Sequence, residues 1–150
     1  MSTSRNVLIV EKQTEQTEVL RSFCEIMGFH RIEWTDNPMQ ALELIFDSCA
    51  DVVFLDLDFV RKGHFEIGKI LKETSDMDED SMKVIFTQNP PQSFQEEVSA
   101  MGLSHHYGGS HLLTRPYTIR ELARVVGDFE EDEIWENSVQ KERPFSTREN

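Results

Sequence analysis

The sequence predicts a doubly wound α/β sandwich on a five-stranded parallel sheet. Three observations carry that reading. Residues 7–10, 52–57 and 82–86 are short runs dominated by apolar residues, interrupted only by Asp56 and Lys83 and without polar alternation, the pattern of strands covered on both faces. Segments with helical spacing of apolar residues lie between them, so strand and helix alternate along the chain. A length of 150 residues fits one core, large enough to fold without a metal or disulfide staple.

Each element has its own signals. After the first strand, Val19, Leu20, Phe23 and Ile26 mark a helix ending ahead of Gly28, a residue suited to the left-handed position past a helix. Residues 29–34 alternate as a short strand with Ile32 and Trp34 on one face. Asp36 and Asn37 offer a cap and Pro38 a first helical position for a second helix carrying Met39, Leu42 and Ile45. Residues 52–57 form the third strand, and a third helix is expected over 65–71. Residues 82–86 form the fourth strand, followed by a helix over 93–101 that Gly102 would end. A weaker run at 112–113 supplies the fifth strand. Thr118 followed by Glu121 is a capping box, opening a fifth helix to about residue 129 with Ile119, Leu122, Val126 and Phe129 as its stripe. Right-handed crossovers would join the strands.

With 28 acidic against 15 basic residues and a net charge of −13, the surface repels phosphate backbones and anionic lipid, which disfavours nucleic-acid and membrane partners. No apolar stretch reaches the roughly 20 residues of a membrane span, and the run at 7–10 is too short for a signal peptide. Cys24 and Cys49 both fall in apolar helical runs, where a free thiol behaves as a small hydrophobe, so a cytoplasmic setting is expected. Residues 1–129 form the expected domain. Residues 130–150 form an expected acidic, polar tail, and no output domain is expected to follow.

In open α/β sheets, chemistry collects outside the carboxyl ends of the strands. The residues there are Glu11, Lys12, Asp56, Asp58, Thr87 and Arg115. With them stand Val7-Leu8-Ile9-Val10 before a charged pair, Gly28-Phe29, Ala41-Leu42-Glu43-Leu44, Asp51 to Asp56, Val84-Ile85-Phe86-Thr87, Gly102, and Arg115-Pro116-Tyr117 before Glu121-Leu122. In this order and spacing, over residues 5–129, the chain resembles a response-regulator receiver domain, the flavodoxin-like module that accepts phosphate from a histidine kinase. The resemblance implies that Asp56 is the phosphoacceptor, Thr87 the hydroxyl beside the phosphoryl group, and Arg115 the position of a phosphate-contacting lysine.

The sequence also departs from that pattern. The acidic pair that would hold Mg²⁺ is Glu11-Lys12, and an ammonium at the second position would repel the ion. Glu11 and Asp56 against Lys12 and Arg115 then balance without a metal, and Asp58, if turned inward, would add one negative charge. The expected Met-Pro after the aspartate is Phe59-Val60, the small residue after the threonine is Gln88, and residues 104–110 read as an inserted loop. Either Leu112 or Tyr107 takes the switch-aromatic position.

Two functions follow from the resemblance. The first is a stand-alone, atypical pseudo-receiver, not an enzyme, with lost or weak Mg²⁺-dependent phosphorylation and no cofactor. It would act in signal transduction through contacts with signalling proteins such as a histidine kinase or a downstream effector, docking through the fourth helix, fifth strand and fifth helix. The second is a working phosphoacceptor modified on Asp56, with Glu11, Asp56 and Asp58 holding a weak Mg²⁺. In a purely structural role, Asp56 would cap a strand end and pair with Lys12 or Arg115. A flavin reading is disfavoured, because residues 11–14 lack the Gly and hydroxyl density of a phosphate cradle.

Smaller features have plainer readings beside functional ones. His105, His106 and His111 read as a surface loop before a metal site, and Asp76, Asp78 and Asp80 as a solvated connection, since Ser81 stands where a calcium loop needs Gly. Ile134 and Trp135 read as an extension of the fifth helix before a docking motif.

Overall fold

The computed structural model describes residues 5–47, 50–61, 82–106 and 111–127. Its elements are β1 Asn6–Val10, α1 Glu15–Ile26, β2 Arg31–Thr35, α2 Pro38–Asp47, β3 Val52–Asp56, α3 Leu57–Arg61, β4 Lys83–Gln88, α4 Phe94–His106, β5 His111–Thr114 and α5 Ile119–Val126. The five strands form one parallel sheet in the order β2-β1-β3-β4-β5. The doubly wound architecture is the one the sequence predicts.

The apolar runs have a direct explanation. Successive side chains of a strand point to opposite faces, and here both faces are covered. Val7 and Ile9 of β1, Val52 and Phe54 of β3 and Ile85 of β4 pack with Leu20 and Cys24 of α1 and Leu122 and Val126 of α5. Leu8 and Val10, Val53 and Leu55, and Val84 and Phe86 pack on the other side with Ala41 and Ile45 of α2, Leu57 and Val60 of α3 and Ala100 of α4. Ile32 and Trp34 of the edge strand β2 join the first of these clusters, on one face as their spacing predicts. Cys24 is a free, buried thiol whose pKa burial pushes up; Cys49 lies outside the described residues.

Caps fix the helix ends. The Thr14 hydroxyl accepts the Thr17 N–H at 3.3 Å ahead of α1, and the Asn37 side chain accepts the Met39 N–H at 2.8 Å ahead of α2. Gly28 takes φ +88° behind α1. The capping box of α5 is present in both directions, from Thr118 to Glu121 and back. The ammonium of Lys83 donates to the carbonyls of Val125 and Val126, at 2.9 Å each, at the negative end of the α5 dipole. Lys83→Met is expected to cost about 1–2 kcal/mol through those two unpaired carbonyls. A urea-unfolding midpoint unchanged from the parent would show that water replaces the lysine without loss.

Three expected boundaries are corrected. The apolar run 52–57 is not one strand: β3 ends at Asp56, and Leu57, Phe59 and Val60 bury the inner side of α3. The fourth helix does not stop at Gly102 but runs a further turn to His106, because Leu103 packs on the core and Ser104 is buried. The expected insertion 104–110 is therefore helical in its first three residues, and β5 already begins at His111. The fifth helix ends before Phe129, at Gly127, which is left-handed with φ +84°. The expected helix 65–71, Asp76, Asp78, Asp80, Tyr107 and the segment carrying Ile134 and Trp135 lie outside the described residues.

Candidate functional site

The carboxyl ends of four adjacent strands converge on one cluster. Glu11 follows β1 and Asp56 ends β3, opposite Thr87 in β4. Arg115 follows β5, its N–H bonded to the Gln88 carbonyl at 2.8 Å. The Gln88 amide reaches the Thr114 hydroxyl at 2.9 Å, tying the ends of β4 and β5 together.

Arg115 is the centre of the cluster and is only 7% exposed. Its Nη2 lies 2.8 Å from Asp56 Oδ2, 3.0 Å from Glu11 Oε2 and 3.0 Å from Thr87 Oγ1. Its Nη1 donates to Asn89 Oδ1 at 3.2 Å. Burial works against its charge, but Glu11 and Asp56 beside it prevail and raise its pKa above the ordinary value. Glu11 is more deeply buried still, at 1% exposure. Its Oε2 also accepts the Thr87 hydroxyl at 2.6 Å, and its Oε1 the Thr17 hydroxyl at 3.2 Å. The second oxygen of Asp56 accepts the Asp58 N–H at 2.9 Å, capping α3. Both carboxylates therefore have both oxygens engaged.

Of the six residues singled out, four meet here: Glu11, Asp56, Thr87 and Arg115. Lys12 does not, contrary to expectation. Its side chain is exposed while its carbonyl accepts the Thr17 hydroxyl at 2.5 Å. Successive residues of an extended chain face opposite ways, so an inward Glu11 turns Lys12 outward. Asp58 is also corrected: its half-exposed carboxylate lies 3.8 Å from Arg61 Nη1 on the same short helix. The charge balance shifts accordingly. Glu11 and Asp56 face one guanidinium, leaving one negative charge where two cations were expected.

The donor set does not fit Mg²⁺. Of the expected ligands, Glu11 and Asp56 meet on the guanidinium of Arg115 but Asp58 does not join them, and among the described residues no three His, Cys, Asp or Glu side chains come together as a metal group. His105, His106 and His111 form no such group either, the first two ending α4 and the third opening β5. The carboxylate oxygens that would coordinate an ion instead accept hydrogen bonds from a guanidinium, two hydroxyls and an amide.

Three contributors escaped the sequence reading. Thr17 holds Glu11 from the first turn of α1. Asn89 holds Arg115. The indole N–H of Trp34 donates to the Glu11 carbonyl at 2.8 Å, fixing the turn after β1. The Thr14-x-x-Thr17 spacing signals the helix start but not the carboxylate that the second hydroxyl meets.

No family model and no curated protein matches the chain. Solved structures do match. A response-regulator receiver domain, CheY-like, from Methylobacillus flagellatus is similar over 85% of this chain and 100% of its own, with a TM-score of 0.63 and 21% identity. A response regulator from Thermotoga maritima aligns over 89% and 99% at a TM-score of 0.61 and 18% identity. The signal receiver domain of a modulated diguanylate cyclase from Desulfovibrio desulfuricans aligns over 92% and 99% at 0.63 and 18%. The chain has the receiver fold. Within it, the cluster at the carboxyl edge lies where the resemblance places the phosphoacceptor pocket, with Arg115 drawn in between the two acids. Tyr117, two residues on, packs on Phe23 with ring centres 6.4 Å apart, and its hydroxyl pKa is raised mainly by burial.

Proposed function

We propose that the protein is a pseudo-receiver: a signalling adaptor that keeps the receiver fold, does not rely on Mg²⁺-dependent phosphorylation, and acts through protein contacts. The observation that carries this reading is the guanidinium of Arg115, 2.8 Å from Asp56 and 3.0 Å from Glu11. Phosphoryl transfer to a carboxylate needs a free oxygen for in-line attack and cations on the equatorial oxygens of the phosphoryl group. Here one oxygen of Asp56 is held by the guanidinium and the other by the amide that opens α3. The Thr87 hydroxyl, which would meet a phosphoryl group, donates to Glu11 instead. Partners of the kind the resemblance implies, a histidine kinase or a downstream effector, would meet the α4–β5–α5 side. There α4 exposes Phe94, Val98 and Met101.

The test is intact-mass measurement after incubation with acetyl phosphate and Mg²⁺. The expected result is no added phosphoryl group. Stoichiometric modification that disappears in Asp56→Asn would establish a working phosphoacceptor instead.

A further inference from the structure

The sheet ends at β2, and that edge is open. The Arg31 N–H reaches the Arg5 carbonyl at 3.4 Å and the Thr35 carbonyl accepts the Glu11 N–H at 3.2 Å, so both residues turn their backbone groups toward β1. Backbone groups alternate in direction along a strand, which sends those of Glu33 the same way and turns the N–H and C=O groups of Ile32 and Trp34 outward. Among the described residues no strand lies beyond β2 to meet them. Such an edge is a template for a further strand unless charges blunt it. Here the edge charges have opposite sign. Arg31, 56% exposed, and Glu33, 23% exposed, stand two residues apart on one face, 3.1 Å from each other. Ile32 and Trp34 occupy the other face, packed on the cluster closed by α1 and α5.

We infer that β2 pairs antiparallel with β2 of a second copy of the chain, about a two-fold axis through Ile32. Charge sets this register. With Ile32 at the centre, Arg31 of each copy stands directly opposite Glu33 of the other, giving two opposite-charge cross-strand pairs on one face. Ile32 meets its own counterpart, and the two residues exchange hydrogen bonds through their outward N–H and C=O groups. Centring on Glu33 would set like charges face to face, and centring on Trp34 would set Glu33 against Thr35 and lose both pairs. A strand from elsewhere needs an acid and a base at the same spacing, which a second copy carries by symmetry. The chain's own C-terminal segment lacks that pattern: within residues 128–150 no acid and base stand two apart. The whole chain carries −13, so two copies repel at low salt. At about 0.15 M ionic strength, charges more than about 8 Å apart are screened. The paired strands themselves bring one Arg31 and one Glu33 each, which sum to zero. The result is one continuous sheet through both copies, with the two Arg115 clusters at its opposite ends.

This pairing goes beyond the signalling role proposed above and uses a different edge, so the phosphoryl-mass measurement does not bear on it. A contact of one five-residue strand is small, and the association is correspondingly weak. Sedimentation equilibrium of the full chain at about 0.15 M salt, up to about 1 mM, should show monomers in equilibrium with dimers. Arg31→Glu and Glu33→Arg each turn two attractive pairs into two repulsive ones and should weaken association about tenfold or more. An equimolar mixture of the two variants should associate at least as well as the parent, because each supplies the charge that the other lacks. The double variant should behave as the parent does. Melting midpoints should stay close to the parent's, since the pair within one chain is exposed and contributes little. The double variant keeps that pair and so controls for a folding defect in either single one. A parent that stays monomeric throughout overturns the assignment, as does a dimer that both single variants form unchanged, or a mixture no tighter than its components.

Discussion

Arg115→Met is expected to destabilise the protein by about 3–5 kcal/mol at neutral pH, the cost of removing one partner from a buried ion cluster. Methionine fills much of the space but supplies no charge, so Glu11, at 1% exposure, and Asp56 are left facing each other. The burial of a charge without a partner is what makes the substitution costly; the intact cluster need contribute little to net stability. The sign of the pH dependence follows. In the variant, two like charges share a buried edge with no cation between them, and lowering the pH relieves that repulsion by adding protons. The variant should therefore regain stability as pH falls from 7, while the parent gains nothing comparable. Urea unfolding of both proteins at pH 7 and pH 5 measures this. Equal stability losses at the two pH values would mean that lost packing, not unpaired charge, sets the cost. The variant also supplies a metal test: removing the guanidinium frees two carboxylates, so Mg²⁺ should raise the melting temperature of Arg115→Met and leave the parent unmoved.

The second large effect lies in the core. Phe54→Ala should cost about 3–5 kcal/mol. Phe54 is 0% exposed in the central strand β3, packed in the cluster closed by α1 and α5. Its neighbours Ile9 and Ile85 sit in register on the flanking strands β1 and β4. A cavity there cannot be refilled by collapse of one helix, because rigid strands bound it on both sides. Against a typical domain stability of roughly 5–15 kcal/mol, the variant would be near the edge of folding. A thermal melt showing a loss under about 1.5 kcal/mol would mean that the two helices do close the gap.

How much of this was legible in the sequence depended on how local each cause is. The strands were, because burial on both faces of a parallel sheet turns alternation into short apolar runs, bounded by polar and turn residues. The capping box at Thr118 was legible because its two bonds span only three residues. The short helix α3 was not: its buried Leu57, Phe59 and Val60 simply lengthen the apolar run of β3, and five residues are too few for a period of 3.6 to emerge. Gly102 misled for an energetic reason. Glycine inside a helix costs only about 1 kcal/mol, and burial of Leu103 and Ser104 beyond it outweighs that.

The pocket shows the same division. Spacing after the strands brought Glu11, Asp56, Thr87 and Arg115 to one edge. It could not tell which of two cations enters, because that depends on which way each residue faces after its strand. Lys12 follows an inward residue and faces water. Arg115 leaves β5 at the sheet's edge and reaches across β4 to β1 and β3, a span visible only once the strand order is known. The hydroxyl of Thr17 and the amide oxygen of Asn89 depend on helix orientation and loop path, which no local pattern encodes.

The indole of Trp34 has a use of its own. Its N–H rests on the carbonyl of Glu11, the residue whose carboxylate Arg115 grips. The dipole sensed by that ring thus moves whenever the turn after β1 moves, and the chain has only two tryptophans. Nature has wired a fluorophore to the cleft, so emission recorded against a Trp34→Phe blank would follow the acidic centre without any attached dye.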